Sequence, residues 1–386
     1  MIAATQTTTS LRFQGKWPAK DTFPSKCAND SANKVNSMAS GKLKIEVLPA
    51  DSVVPPFQLL EAVNKGTLDG GHGVVAYHYG KNNALALWGS GPAFGMDPNM
   101  VLAWHNYYGG GKALLDEVYK SLNMDVVSYL YGPMPTQPFG WFKKPISNVA
   151  QLKGVKFRTV GLAVDMYTDM GAAVNPLPGG EIIPALDRGL LDAAEFNNAT
   201  SDRILGFPDV VKNCMLQSFH QSGEQFEILF NKGKYNALPA ELKAIIDYSV
   251  QAASADMSWK AIDRNSKDYI ELKKQGIKFH KTPDTILRAQ LASWDKIIEK
   301  KGRREPIVQE NYRFAKSLRR ARRPMAERLH GRFQNDLQPL LCQGRQEGIN
   351  SSRVRVCSRQ PHRETGWLVC FFRKEKNESS NTFTHG

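Results

Sequence analysis

The sequence contains no apolar run approaching the ~20 residues that a membrane-crossing helix needs, so no segment reads as a span. Cysteine is scarce, with five in 386 residues. Cys27 and Cys214 stand alone, and the spacing of Cys342, Cys357 and Cys370 is not that of a zinc site. His72 and His78 are too isolated to argue for a transition metal. No nucleophile, base and orienting group are assembled along the chain, which leaves an enzyme without a sequence-level case. Met1 to Gln6 lack a basic region followed by an apolar stretch, so no export signal is visible.

Arginine is rare through most of the chain and then abundant. The first 300 residues hold 6 arginines and the last 86 hold 15. Residues 301–386 carry 19 Lys and Arg against 8 Asp and Glu, so most of the formal net charge of +14 is terminal. A shifted reading frame near codon 300 of a GC-rich gene accounts for the change, since Gly and Ala codons read out of register yield arginine. The expectation is an aberrant, mostly disordered tail over 301–386. The rival explanation is a basic appendage that binds nucleic acid. Nucleic acid is not the expected partner.

The remainder reads as α/β. Leu43-Lys44-Ile45-Glu46-Val47-Leu48 alternates as a strand, and Pro56 opens a short helix that stops before Gly66. Pro239 to Gly276 carries Leu242, Ile245, Ile246, Val250, Ala253 and Met257 at near-helical spacing with no internal Gly or Pro. At about 1.5 Å per residue, that helix is longer than one lobe. Gly71-His72-Gly73-Val74-Val75-Ala76 fits the dinucleotide glycine pattern, the basis of an alternative reading as an NAD-dependent oxidoreductase. Such glycines should follow a strand and open a helix, yet Val74 to Tyr77 itself reads as a strand.

Two polar clusters mark a candidate site. Val155 to Arg158 alternates apolar and charged before breaking at Gly161, after which Leu162, Val164, Met166 and Met170 suggest a helix. Leu190 to Phe196 repeats the arrangement, ending in Glu195, Asn197 and Asn198, with Thr200, Ser201 and Asp202 as helix-cap residues. Ligands of open α/β sheets bind beyond the carboxyl ends of strands. Arg158 can hold a carboxylate through two parallel hydrogen bonds, whereas Glu195 repels one unless a cation or proton lies between. A plain Arg158–Glu195 salt bridge explains the same residues on spacing alone.

The segments Trp17-Pro18-Ala19-Lys20-Asp21, Leu68 to Gly73, Gly132 to Ile146 around Gln137, Phe157 to Gly161, Leu177 to Ile182 and Ala194 to Asn198 resemble those of extracytoplasmic solute receptors. More narrowly, they resemble the substrate-binding proteins of tripartite ATP-independent periplasmic (TRAP) transporters, in the branch for 2-oxo acids labelled mannitol/chloroaromatic. The resemblance runs from about residue 9 to about residue 298. It implies a non-enzymatic periplasmic receptor, monomer or dimer, that captures a small 2-oxo, hydroxy or aromatic acid and passes it to TRAP permease subunits. An exported receptor needs a signal, so the chain as given is read as starting at a misplaced start or as trimmed.

The implied fold is two α/β lobes of the periplasmic-binding-protein type, braced by the long helix. Lobe I covers 1–132 with a return near 222–238, and lobe II covers 133–221. The long helix is 239–276, and 277–300 complete the lobes. By the resemblance, Arg158 pairs with the substrate carboxylate. Gln137, Glu195 and the backbone carbonyl of Phe196 hold a sodium or calcium ion, while Trp17, Tyr77, Asn197 and His220 line the pocket. Relatives often carry tryptophan where this chain has Phe196.

Overall fold

The computed structural model describes residues 8–19, 22–107 and 110–304, excluding the side chain of Phe94. The tail is expected to begin at 301, but Lys301 to Arg304 continue the helix Asp284–Arg304, and the rest of that expectation lies outside the described residues. Among the described residues eleven strands fall into two sheets. In chain order they are β1 (Thr9–Gly15), β2 (Leu43–Leu48), β3 (Gly70–Gly73), β4 (Val126–Met134), β5 (Gly140–Phe142), β6 (Lys156–Arg158), β7 (Ala173–Val174), β8 (Ala193–Ala194), β9 (Asn213–Met215), β10 (Glu224–Asn231) and β11 (Lys278–His280). The first sheet has the order β2-β1-β3-β10-β4 and the second β11-β9-β5-β8-β6-β7. In the first, β1 is parallel to β2 and β3, while β10 runs antiparallel to β3 and β4.

The chain passes between the sheets at 135–139, after β4, and returns at 216–223, before β10. A third passage is the helix Ala240–Lys274, whose 35 residues span about 52 Å at 1.5 Å per residue. It packs against β4 and the helix Phe23–Met38 on one side and the helix Ala199–Leu205 of the other lobe. It thus braces both lobes. Pro239 precedes its first turn and Gly276, at φ +81°, follows its end, which only glycine adopts without strain.

One element departs from expectation. The glycines themselves form a strand, β3, and Val75–His78 is a 3-10 helix rather than a strand. The reason is space. A Cβ at Gly70 would lie 2.2 Å from Phe13, one at Gly71 2.8 Å from Leu59, and one at Gly73 2.5 Å from Lys16. At those three positions only glycine fits between β1 and β10. The glycine segment therefore opens no phosphate-binding α-helix, which removes the basis of the oxidoreductase alternative. The apolar stretch from Leu190 is likewise strand only at Ala193–Ala194, because Gly189 (φ +76°) and the turn after it consume the rest.

Candidate ligand and cation site

The two crossings and three strand ends meet at one place. Arg158 ends β6, Glu195 follows β8, Gln137 lies on the first crossing, His220 and Gln221 on the second, and Glu224 begins β10. Strands β6 and β8 are parallel neighbours with Arg158 opposite Ala194, so both carboxyl ends face the same edge. Arg158, Glu195, Gln137 and His220 are all essentially inaccessible to solvent. Tyr77, from the other lobe, reaches this edge, and the Leu162 amide donates to Ser90 Oγ at 3.1 Å. The lobes are closed on each other here.

Arg158 spends its donors in four directions. Its Nε donates to the Leu177 carbonyl at 2.8 Å, Nη1 to the Glu195 carbonyl at 2.8 Å and to Glu195 Oε1 at 2.9 Å, and Nη2 to the Tyr77 hydroxyl at 3.3 Å. The plain Arg158–Glu195 salt bridge left open by the spacing is present. Glu195 Oε2, however, has no donor. His220 Nε2 is 4.0 Å from it, too far for a hydrogen bond. Burial pushes the Glu195 carboxyl up, yet Arg158 and then His220 outweigh it and hold the group below its ordinary value. Glu195 is held as an anion with one oxygen free.

Three further buried acceptors share this condition. Gln137 Oε1, Gln221 Oε1 and Glu224 Oε1 have no donor among the described residues. Gln137 Nε2 and Gln221 Nε2 both donate to Glu224 Oε2, at 3.4 and 2.5 Å. Burial and then the nearby Glu195 charge raise the Glu224 carboxyl to about 8. A set of orphaned oxygens beside a held anion fits a hard cation, whose ligands are carboxylate, amide and carbonyl oxygen. It does not fit zinc or copper. Among the described residues no group of three or more His, Cys, Asp or Glu is arranged to hold a metal ion by itself.

The expected lining residues divide. Tyr77 touches Arg158 directly. Trp17 donates its indole N–H to His72 Nδ1 at 2.8 Å and packs edge-on against Tyr77 with ring centres 5.9 Å apart. It is the wall behind Tyr77. Asn197 turns its amide to Met134 Sδ (3.3 Å) and accepts from Ser201 (3.2 Å), so its side chain ties β4 to the next helix. His220 is fixed through Nδ1 by Ser218 Oγ at 2.7 Å. The Phe196 ring covers Gly179, where a Cβ would sit 2.6 Å from it. That contact explains the first of the two glycines in the Leu177 to Ile182 segment.

The sequence reading missed Gln221 and Glu224. Only Glu227 stands inside an apolar run, 226–230, whereas Glu224 follows Ser222 and Gly223 and has no local pattern to mark it as buried. Glu227 belongs to a separate network under Tyr77, accepting from Tyr119 (2.5 Å) and Ser128 (2.7 Å) and meeting His78 at 3.3 Å. His78 in turn contacts Lys16 Nζ at 3.1 Å, and burial lowers that lysine to about 7.

Comparison with known proteins fits this geometry. The family model for bacterial extracellular solute-binding proteins, family 7 (DctP), matches residues 14–302. The chain belongs to this family. A monocarboxylate 2-oxoacid-binding periplasmic protein of Nostoc sp. is 32% identical over 330 residues, covering 83% of this chain and 89% of the relative. A TRAP periplasmic solute binding protein of Colwellia psychrerythraea, solved with bound calcium and pyruvate, has 26% identity and a TM-score of 0.77 over 84% of this chain and 99% of its own. A TRAP transporter solute binding protein of Bordetella bronchiseptica, a dimer with calcium and picolinate in one site and the other apo, shares the fold at 24% identity and TM-score 0.79, covering 88% of this chain and 99% of its own. The TRAP resemblance and two-lobed α/β fold expected from the motifs agree with these family 7 matches.

Proposed function

We propose that this family 7 protein is the periplasmic receptor of a TRAP transporter, capturing a small monocarboxylate of the 2-oxo acid class together with sodium or calcium. The observation that carries this reading is the buried Arg158–Glu195 pair with free acceptor oxygens on Glu195 and Gln137 beside it. Arg158 spends its Nε and Nη1 donors within the protein and offers the ligand carboxylate its charge and the remaining Nη2 N–H. Gln137 and Glu195, with the Phe196 carbonyl, hold the cation, and Glu224 and Gln221 border it. The cation supplies positive charge between the ligand carboxylate and Glu195. Without it those two anions repel each other in a site from which water is excluded.

Closure follows from differential affinity. A ligand must favour the closed state by about 10⁴, or ~5.5 kcal/mol, to turn a mostly open hinge into a mostly closed one. Arg158 and Tyr77 come from opposite lobes and meet only when these are together, so the closed state alone offers the complete site. The closed lobes are the form recognised by the permease subunits. The relatives that support the ligand class are the 2-oxoacid-binding protein of Nostoc sp. and the pyruvate-bound protein of Colwellia psychrerythraea.

The test is a thermal-shift and calorimetric screen with pyruvate, lactate and picolinate, run in calcium, in sodium and after exhaustive chelation in sodium-free buffer. A ligand at 100 times its Kd adds about 2.7 kcal/mol of stability. At least one acid should stabilise wild type in the presence of cation and lose most of that effect without it. If no acid stabilises the protein under any of the three conditions, the receptor assignment fails. If an acid binds equally well without cations and to Glu195→Gln, the cation part fails.

A further inference from the structure

A backbone carbonyl has no rotamer with which to find a ligand, so a carbonyl that holds a cation must be aimed by what its peptide plane is tied to. We propose that Asp202, backed by Trp141, is a positioning residue that aims the Phe196 carbonyl and thereby sets the affinity of the site for its cation. The proposal rests on the cation reading given above.

The peptide joining Phe196 to Asn197 is trans, as are all described peptide bonds. In a trans amide the N–H and the preceding C=O point in opposite directions. The Asn197 N–H donates to Asp202 Oδ1 at 3.1 Å. Asp202 lies in the first turn of the helix Ala199–Leu205 and is 1% exposed. The Phe196 carbonyl is therefore turned away from that helix for as long as Asp202 holds the amide. Rotating the plane breaks a buried hydrogen bond and leaves the Asn197 N–H without its acceptor.

The carboxylate that sets this direction is itself fixed. Its other oxygen, Oδ2, accepts from Trp141 Nε1 at 2.8 Å. Trp141 is 1% exposed, pairs with Ala194 across β5 and β8, and stacks on Phe207 at 5.4 Å and 26°. With both oxygens clamped, Asp202 cannot swing without breaking one bond or moving a packed indole.

The neighbouring peptide groups are pinned as well. The Glu195 amide donates to the Arg158 carbonyl at 3.3 Å, and the Glu195 carbonyl accepts from Arg158 Nη1 at 2.8 Å. Gly179 holds the Phe196 ring from the far side. Arg158 thus fixes the start of this segment and Asp202 its end. The side-chain contacts of Asn197, to Met134 and Ser201, do not reach Asp202. A helix-capping role alone needs only one oxygen near the first-turn amides and gives no reason for Trp141 to hold the second.

The experiment uses the full chain stripped of cations and titrated with calcium at fixed pyruvate, followed by calorimetry and thermal shift. Removal of an outer group that orients a metal ligand costs ~10–100-fold in metal affinity. Asp202→Ala should raise the half-saturating calcium by at least ~10-fold, while pyruvate affinity at saturating calcium returns to within about threefold of wild type. Asp202→Asn keeps an acceptor for the Asn197 amide but turns its own N–H₂ toward the Trp141 N–H. Asp202→Asn combined with Trp141→Phe removes that conflict, and the pair should recover the calcium response of Trp141→Phe alone.

Unchanged half-saturating calcium in Asp202→Ala overturns the proposal. So does a calcium defect that the double variant fails to restore while its cation-free melting temperature equals that of Trp141→Phe. If Asp202→Ala does not fold, the double variant decides. A wild-type protein that ignores calcium and sodium defeats the underlying cation reading, which is distinct from a responsive wild type whose variants do not differ.

Discussion

Replacing Arg158 with lysine separates charge from geometry at the centre of the site. Truncation to alanine would strand Glu195 as an unpaired buried anion, with a loss of about 3–5 kcal/mol that says little about ligand recognition. Lysine keeps the positive charge near Glu195 but offers one nitrogen where arginine offers three. The Nε bond to the Leu177 carbonyl and the Nη2 bond to Tyr77 cannot both be replaced while that nitrogen stays on Glu195. Each lost hydrogen bond from a charged donor costs about 1.5–3 kcal/mol in a buried setting. The ligand carboxylate loses its bond to the one Arg158 N–H not spent within the protein, so binding should weaken by about 1–3 kcal/mol, roughly 5- to 150-fold in Kd. Calorimetry with pyruvate at saturating calcium reads the second number, and urea unfolding of the ligand-free protein reads the first. A folded Arg158→Lys protein that binds pyruvate within twofold of wild type would refute the assignment of Arg158 to the carboxylate.

Glu224 has a folded value near 8 against an ordinary 4.5. Its raised value means that the stability linked to its protonation is full below about pH 4.5 and is lost as pH rises through 8. The stability of ligand-free wild type minus that of Glu224→Gln should therefore fall between pH 5 and 8.5, and parallel curves from chemical denaturation at several pH values would contradict this. Gly179→Ala places a Cβ 2.6 Å from the Phe196 ring, so it should destabilise the protein by about 1–3 kcal/mol and weaken calcium binding, with urea unfolding and calcium titration as the checks. Tyr77→Phe removes one acceptor of Arg158. It should cost about 0.5–1.5 kcal/mol of stability, and no change in unfolding midpoint would show that the cross-lobe bond contributes nothing.

Much of the architecture was legible because it is written in periodicity. The alternation of Leu43 to Leu48 and the spacing of Leu242, Ile246, Val250, Ala253 and Met257 report which face each residue buries, and both elements form where expected. The meeting of Arg158 and Glu195 was legible for a related reason: one ends a short strand, the other follows its parallel neighbour, and parallel strands bring their ends to one edge. Glu224 and Gln221 carry no such local mark. Strand β10 is buried on both faces along nearly its whole length, so its residues show no alternation to set an acid apart. The contact of Gln137 with Glu224 spans 87 residues and exists because two crossings pass each other between the lobes.

The glycine strand shows the same limit. Gly70 to Gly73 has no strand propensity of its own and is held extended by β1 and β10, beneath Phe13, Leu59 and Lys16. The direction of the Phe196 carbonyl is fixed by Asp202 and Trp141, which lies 61 residues from that aspartate. Chain neighbours determine whether a segment can be helix or strand, because that choice is made by local sterics and by which side meets the core. Which charges share a buried space, and which oxygens remain there without a donor, depends on how distant segments pack. For this protein the tertiary structure decided the site's electrostatics.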